Sequence, residues 1–538
     1  MNTKDLKYNK EAQDLLKAGV DKLADAVKIT LGPRGNNVML QAYGVPHVTK
    51  DGVTVAKNIR LENVFEDMGC QVVKNAAART AMDAGDGTTT ATILTQSIIE
   101  HGFKALAAGA NHNLMRKGIN EAVEAVVKAL KEMAKPVTDE KQTKNVASIS
   151  ANNDYELGEL ISNTIKKIGK DGVITVEPSR TVETKITTTD GAQYKGGWLS
   201  PYFITNMRKY ETEYEDCAVL CTDITITQPN QIMELIGQSH SNGVPVIIIA
   251  DEIAGEALQL LITNKMKGGL KVVAVNAEGY GIVKKDIIKD IAIMTGAKMI
   301  EAEGDNKLEN ASIEDLGKAK KIVVGKSFTT IINGNGNEHE IKERIDQIKS
   351  LIENTNEDYE VEKLKTRLAR FTGGVGVIKL GANSDVELRE KIDRVDDAIC
   401  ATKASLEEGI VIGGGTAYVK CIEVLDKIGC ATDDENMGVN VIKQALTSPL
   451  KQIALNAGDT PDMVVEKVKE KGGNIGYNAY TKEYTDMIKA GIIDPVKVTR
   501  TALENAASAA IMLLSTNCVV VDIVDEFANN NNQNDMMV

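Results

Sequence analysis

Asp83-Ala-Gly-Asp-Gly-Thr-Thr-Thr-Ala-Thr92 is the stretch on which the reading of this chain turns, and it opens directly into the apolar run Ile93, Leu94, Ile98 and Ile99. Gly85 and Gly87 let the backbone turn tightly, and the hydroxyls of Thr88, Thr89 and Thr90 fall where a helix would begin. A helix start leaves amide N–H groups without intrahelical partners and carries partial positive charge, which favours a phosphate. Asp86 is then a hard oxygen ligand for a magnesium ion bridging that phosphate. The plainer reading is that Asp86 and the threonines only cap a helix, and a Gly-Asp-Gly-Thr string by itself does not decide between the two.

At 538 residues the chain has room for three or four units of ~150 residues, each with a sizeable core. An apolar share of 43% beside 26% charged residues is that of an ordinary soluble protein. The net charge of −13 argues against a nucleic-acid partner. Aromatic residues make up only 4%, with Trp198 the single tryptophan, so Ala, Val, Ile and Leu must fill the interior. The seven cysteines are scattered and include no C-x-x-C pair, which suits reduced, buried thiols. Residues 1–10 lack a signal-peptide core, and no run of about 18 apolar residues exists. The expectation is a cytoplasmic protein with no membrane partner.

Outward from the Gly-Thr stretch, Leu16, Val20, Leu23 and Val27 recur at helical spacing before the stop Thr30-Leu-Gly-Pro33. Val38–Leu40, Val48 and Val53–Ala56 read as short extended runs around the turn Lys50-Asp51-Gly52. Pro136 breaks the helical pattern; Asp171-Gly172 precedes an alternating strand from Val173, and Gly191, Gly196 and Gly197 mark a change of composition. Val246–Ala250, a helix through Leu258, Leu261 and Ile262, and Lys271–Val275 read as a β-α-β unit with a parallel sheet. Ile341 to Ile352 and Val361 to Leu368 read as a helix pair. Beyond Gly373-Gly374 comes a helix with Asp393 and Asp397 four apart, then Gly409 and the triple glycine 413–415, a second backbone stretch able to approach a ligand closely.

Taken together, these residues compose a resemblance. T-L-G-P (30–33), K-D-G (50–52), G-D-G-T-T-T-A-T (85–92), G-W-L-S-P-Y-F (197–203), V-D-D-A (395–398), E-E-G-I-V-I-G-G-G (407–415), Y-N-A (477–479) and I-D-P-x-K-V-T-R (493–500) stand in the order and spacing of the group I, GroEL-like chaperonins, the bacterial-type sixty-kilodalton family. The resemblance covers essentially the whole length. It implies a multidomain α and α/β chaperonin fold with a mainly helical equatorial ATPase domain from 1–133 and 409–525. A small α/β intermediate domain would take 134–190 and 375–408, an α/β apical, substrate-binding domain 191–374, and a flexible tail 526–538. Hinges are expected at Pro136, Gly191, Gly374 and Gly409.

By the same resemblance the function is that of an ATP-dependent chaperone and the cofactors are ATP, Mg2+ and K+. Asp86 would hold magnesium, with Gly87, Thr88, Thr89 and Thr90 on the phosphates. Thr30, Leu31, Gly32, Pro33 and Lys50 complete the ATP pocket, and Thr30, Lys50 and Thr89 are the potassium candidates. Gly414 lies along the nucleotide, Asn478 and Ala479 face the base, and Asp494 takes the ribose hydroxyls. Asp397 polarises the attacking water and Asp51 supports it; on composition alone Asp397 would be a solvated helix carboxylate. Client proteins would be held by Trp198, Tyr202, Phe203, Leu235, Ile236, Leu258, Leu261 and Ile262, although an apolar stripe is more often core than binding surface.

The partners implied are unfolded proteins, further copies of the chain in a seven-membered ring, and a lid co-chaperonin. The chain departs from the family pattern at several positions. Thr263 stands where a valine is common, and Gly196 replaces an arginine that pairs with an acidic residue, here Asp385, with Lys195 as a substitute. Thr460, Asp462 and Met463 replace residues of a ring-to-ring contact, which leaves single and double rings open, and asparagines replace the Gly-Gly-Met tail. A small-molecule kinase would also need a Gly-Thr phosphate loop, but no G-x-x-x-x-G-K-[ST] string occurs. A scaffold that kept the fold for binding alone is the other alternative; neither accounts for all the motifs.

Overall fold

The computed structural model describes residues 3–41, 47–151, 154–168, 173–179, 181–207, 209–302, 308–355 and 357–522. The tail expected at 526–538 and Asp171-Gly172 lie outside these residues. The chain folds as two units, one from residues 1–163, 178–183 and 380–538, the other from 164–177 and 184–379. Segments expected to form a separate intermediate domain are shared between the two.

The first unit is a helical assembly in which chain segments from both ends build one core. Leu16, Val20, Leu23 and Val27 of the helix Asn9–Lys28 lie on one face because they recur at steps of four, three and four, and all are buried. That face meets the helices Val64–Ala84 and Thr88–Ala107, against which Val496–Leu514 also packs. The ends are joined directly, since Lys4–Tyr8 pairs antiparallel with Cys518–Asp522, Leu6 opposite Val520. The short strands Val38–Leu40 and His47–Thr49 pair as well. Val53–Ala56 is not extended as its β-branched residues suggest, but lies within the helix Gly52–Asn58. The Asp51 side chain caps that helix, accepting from the N–H of Val53 at 3.0 Å and of Thr54 at 2.9 Å, and a capped start outweighs a weak local propensity.

The second unit is organised by an eight-stranded sheet. In spatial order its strands are Val272–Asn276, Val246–Ala250, Thr212–Cys221, Gly317–Val324, Phe328–Gly334, Lys185–Lys195, Gly374–Leu380 and Val173–Pro178. The β-α-β unit is present: Val246–Ala250 is buried along its whole length, the helix Gly255–Gly268 follows, and Val272–Asn276 returns parallel with Val273 opposite Ile247. The sheet as a whole is mixed rather than parallel, because Gly317–Val324 runs antiparallel to both Thr212–Cys221 and Phe328–Gly334. Only Gly325 to Ser327 connect Gly317–Val324 to Phe328–Gly334, too short a link for anything but a reversal. The helices Glu338–Asn354 and Asp358–Thr372 pack together as expected. Both reach the helix Gly281–Thr295 through charge, with Arg344 Nε and Arg367 Nε each 2.8 Å from the buried Asp290 carboxylate.

The glycines and proline expected as hinges stand in adjacent pairs. Lys135, just before Pro136, exchanges backbone hydrogen bonds with Ile410, just after Gly409, at 2.9 and 2.8 Å. Within the sheet, Gly374 lies opposite Asp190, while the next residue, Gly191, lies opposite Ile332, so the strand Lys185–Lys195 changes partner there.

Candidate functional site

The helix Val64–Ala84 ends on Gly85 with φ 74°, and Gly87, with φ 84°, starts the helix Thr88–Ala107. Both glycines occupy the left-handed region that L-residues avoid, which is why the turn between two long helices is written Gly-Asp-Gly. No side chain caps the second helix, so its first N–H groups are left for another acceptor. That removes the plainer reading of the threonines as caps: Thr92 and Thr95 bond back to the helix carbonyls of Thr88 and Ala91, while Thr89 and Thr90 face a cavity. Asp86 accepts from the N–H of Gly87 at 2.5 Å and from Ser150 Oγ at 3.3 Å.

The cavity encloses about 310 Å³, within the range of small-molecule sites, roughly 300–1,000 Å³. Its walls come from segments far apart in sequence: Thr30–Pro33, Lys50 and Asp51, Asp86–Thr90, Asp397, Gly414, Asn478 and Ala479, and Asp494. All the residues expected in an ATP pocket therefore line one space, and all belong to the first unit. Asp494 is brought in by the strand pair Ile410–Ile412 and Ile493–Pro495, where it lies opposite Val411. The Asn478 side chain accepts from the N–H of Tyr480 at 3.0 Å, holding its loop in a tight turn, and Arg34 clasps that loop through the Tyr480 carbonyl at 2.9 Å.

The cavity concentrates negative charge. Burial pushes the Asp397 carboxyl well above the usual range, with Asp51, Asp86, Asp393 and Asp396 adding to it. Burial also raises Asp86, against the Gly87 and Ser150 bonds that favour its charged form. Asp494 is pushed up to about 7, by burial first and then by Asp86, with the Gly414 N–H opposing. Lys50 is held below its ordinary value by burial, Glu390 opposing and Arg394 adding to the shift. Both oxygens of Asp51 are engaged in capping Gly52–Asn58, which holds its side chain in place. No group of three or more acidic, histidine or cysteine side chains stands ready to hold a metal among the described residues. An oxygen-only donor set with raised carboxylates fits a hard divalent cation that takes most of its ligands from phosphate and water.

Ser150, Glu390 and Arg394 also line the cavity and were not among the sequence candidates. Arg394 and Glu390 precede Asp397 by three and seven residues on the helix Asp385–Glu408, so helical spacing from Asp397 was the signal that could have found them.

In the second unit the apolar candidates divide. Trp198, Leu258 and Ile262 are half-buried and Tyr202 is 58% exposed. Phe203, Leu235, Ile236 and Leu261, expected to face a client, are instead packed in the core, Phe203 and Leu261 with no exposure at all. The reason is the helical period: Leu261 sits one turn past Ala257 on the face turned to the sheet, whereas Leu258 and Ile262 flank that face.

The family model of the TCP-1/cpn60 chaperonins matches residues 23–523. The chain belongs to that family. Its fold is that of the chaperonin gp146 from the bacteriophage EL 2 (Pseudomonas aeruginosa), solved in the presence of ATP-BeFx in two crystal forms. The first form gives a TM-score of 0.69 at 22% identity, covering 96% of this chain and 99% of that one. The second gives 0.63 at 23% identity with the same coverage. As a chaperonin, the protein has a chaperone's function at the coarse level, and none of its described helices is long and apolar enough to cross a membrane.

The chaperonin's departures from the group I pattern have structural correlates. Gly196 has φ +109°, and a Cβ there would stand 2.0 Å from the carbonyl oxygen of Asn276, so an arginine does not fit this backbone. Lys195 does not stand free to replace it, being 3.7 Å from Glu278. Asp462 is held by Lys451 at 2.8 Å, while Met463 and Leu455 are exposed.

Proposed function

We propose that this chaperonin is an ATP-dependent folding machine of the group I type, capturing non-native proteins on an apolar apical surface and releasing them through cycles of ATP binding and hydrolysis. The observation that supports this reading most is the single cavity in which Thr30–Pro33, Asp86–Thr90, Asp397, Gly414, Asn478 and Asp494 meet, although they are spread over more than four hundred residues of chain.

In that cavity the uncapped start of Thr88–Ala107 presents N–H groups and the hydroxyls of Thr89 and Thr90 to the phosphates. Asp86 is the carboxylate that holds magnesium, which supplies charge neutralisation along the phosphates when bound. Thr30, Lys50 and Thr89 would hold potassium through oxygen atoms, since the Lys50 ammonium cannot itself ligate a cation. Asp494 accepts from the ribose hydroxyls, and Asn478 and Ala479 wall the base. Asp397, its affinity for a proton raised by burial and by four neighbouring carboxylates, takes a proton from the attacking water, while Asp51 supports it from its capping position.

The capture surface consists of the exposed and half-buried set, Tyr202, Trp198, Leu258 and Ile262, with Phe203, Leu235, Ile236 and Leu261 supporting it from within. Copies of the chain form a homo-oligomeric ring of seven in the cytoplasm, open to a lid co-chaperonin. The test is phosphate release by the purified protein with magnesium and potassium, with and without Asp397→Ala. The variant should bind ATP and assemble normally, with turnover down by about 10²-fold or more, the usual contribution of a general base. Undiminished hydrolysis would remove Asp397 from the mechanism, and no phosphate release from the parent protein would remove the ATPase reading.

A further inference from the structure

Arg394 stands three residues before Asp397 on the helix Asp385–Glu408 and lines the same cavity. Its guanidinium is poorly bonded for a group with five donors. Nη1 lies 3.7 Å from Asp154 Oδ2 and Nε 3.5 Å from Glu390 Oε1, distances of charge attraction rather than hydrogen bonding. Nε is moreover buried with no hydrogen-bond partner among the described residues. The other inward-facing arginines contrast with it: Arg344 Nε and Arg367 Nε close on Asp290 at 2.8 Å, and Arg500 Nε on Glu408 at 2.7 Å. A cation kept in reach of two carboxylates yet seated on neither, at the wall of a cavity, is placed to receive an anion that enters it.

We propose that Arg394 is a ligand of the nucleotide's terminal phosphate, exchanging its loose contacts with Asp154 and Glu390 for the γ-phosphate oxygens, so that this residue tells triphosphate from diphosphate. The proposal rests on the reading of the cavity as an ATP site. A planar fork of donors suits a phosphate, and the γ-phosphate is the group that ADP lacks. Because Arg394 and Asp397 share one helix, occupation by the triphosphate also fixes the carboxylate that acts on the attacking water. When the γ-phosphate leaves, Arg394 returns to Asp154 and Glu390. The competing account is that Arg394 only braces Asp154, which caps the helix Tyr155–Ile168 by accepting from the N–H of Leu157 at 3.0 Å.

The two accounts are separated by measuring the affinities of the full-length protein for ATP and ADP by calorimetry with magnesium. An Asp397→Ala parent keeps the ATP intact. Arg394→Gln should weaken ATP by about tenfold or more and ADP by less than about twofold, the scale expected when one charge-assisted contact to a phosphate is lost. Arg394→Lys should recover part of the loss, and Asp154→Asn, which keeps an oxygen for the cap but loses the charge, should leave both affinities close to the parent's. Equal weakening of ATP and ADP, unchanged ATP affinity in Arg394→Gln, or an Asp154→Asn variant that reproduces the Arg394→Gln loss overturns the proposal while leaving the ATP site standing. A parent protein that binds no ATP removes the site and the proposal together.

Discussion

Arg500 grips Glu408 with two nitrogens, Nε lying 2.7 Å from Oε2, and so ties the helix Val496–Leu514 to the last residue of the helix that carries Asp397. The Arg500 hydrogen bond is the largest influence holding the Glu408 carboxyl below its usual value of 4.5. A carboxylate with a depressed folded-state value stabilises the fold above that usual value and loses the contribution as pH falls through the depressed one. Glu408→Gln should therefore cost about 1 kcal/mol at pH 7, the pair being partly exposed to solvent, and less near pH 3. Urea unfolding at the two pH values measures the difference, and an equal cost at both would show the contact to be merely steric.

Asp494 has the opposite sign. Its folded-state value is raised from 3.8 to about 7, so its penalty on the nucleotide-free fold is absent below 3.8, grows through that window and is complete above about 7. Asp494→Asn should stabilise the empty protein at pH 8, on the order of 1 kcal/mol, with no gain at pH 3.5. Its affinity for ATP should fall. Thermal unfolding with and without nucleotide checks both halves, and a variant less stable than the parent at pH 8 would refute the burial argument.

Asp290 is 1% exposed and answers two guanidinium groups at once. Removing it as Asp290→Ala leaves Arg344 and Arg367 with the partly exposed Asp286 as their carboxylate, at 3.4 and 3.0 Å, and Arg344 with Gln347 at 3.1 Å. Breaking a buried charge network from one side costs about 3–5 kcal/mol. Denaturant unfolding followed at Trp198, the chain's single tryptophan, reports on this unit directly; a loss under about 1 kcal/mol would mean that the arginines find water instead.

Leu258 and Leu261 are three residues apart on one helix, and their substitutions should differ in kind. Leu258→Ser, like Tyr202→Glu, should weaken suppression of aggregation of a denatured client while basal ATP turnover stays at the parent level. Leu261→Ser, in a fully buried position, should instead destabilise the unit by about 2–5 kcal/mol. Unchanged client capture by both surface variants would remove the apical assignment.

What the sequence reveals follows how local each signal is. The turn at Gly85–Gly87 and the helix after it are legible because glycines and hydroxyls act within a few residues. The meeting of Thr30, Asp397, Asn478 and Asp494 in one cavity is not a local property, and only the resemblance, with its motifs in order, indicated it. Leu261 was misassigned because a helical stripe does not say which of its edges faces the sheet. Val53–Ala56 was misread because capping by Asp51 depends on side-chain geometry that a β-branched run conceals. The pairing of Lys4–Tyr8 with Cys518–Asp522 bridges more than five hundred residues, and nothing in the polar first ten residues announces it. Helical spacing from Asp397 points to Arg394 as a neighbour of the site, but its incomplete bonding is visible only in three dimensions.

The two hydrogen bonds between Lys135 and Ile410 bear on how the Asp385–Glu408 helix can travel. Two lengths of backbone stitched side by side behave as a ribbon, which bends across its flat face far more easily than it twists about its length. In the proposed ATP cycle, a helix anchored through such a ribbon would sweep along a single arc instead of wandering, and Asp397 would meet the nucleotide from one direction.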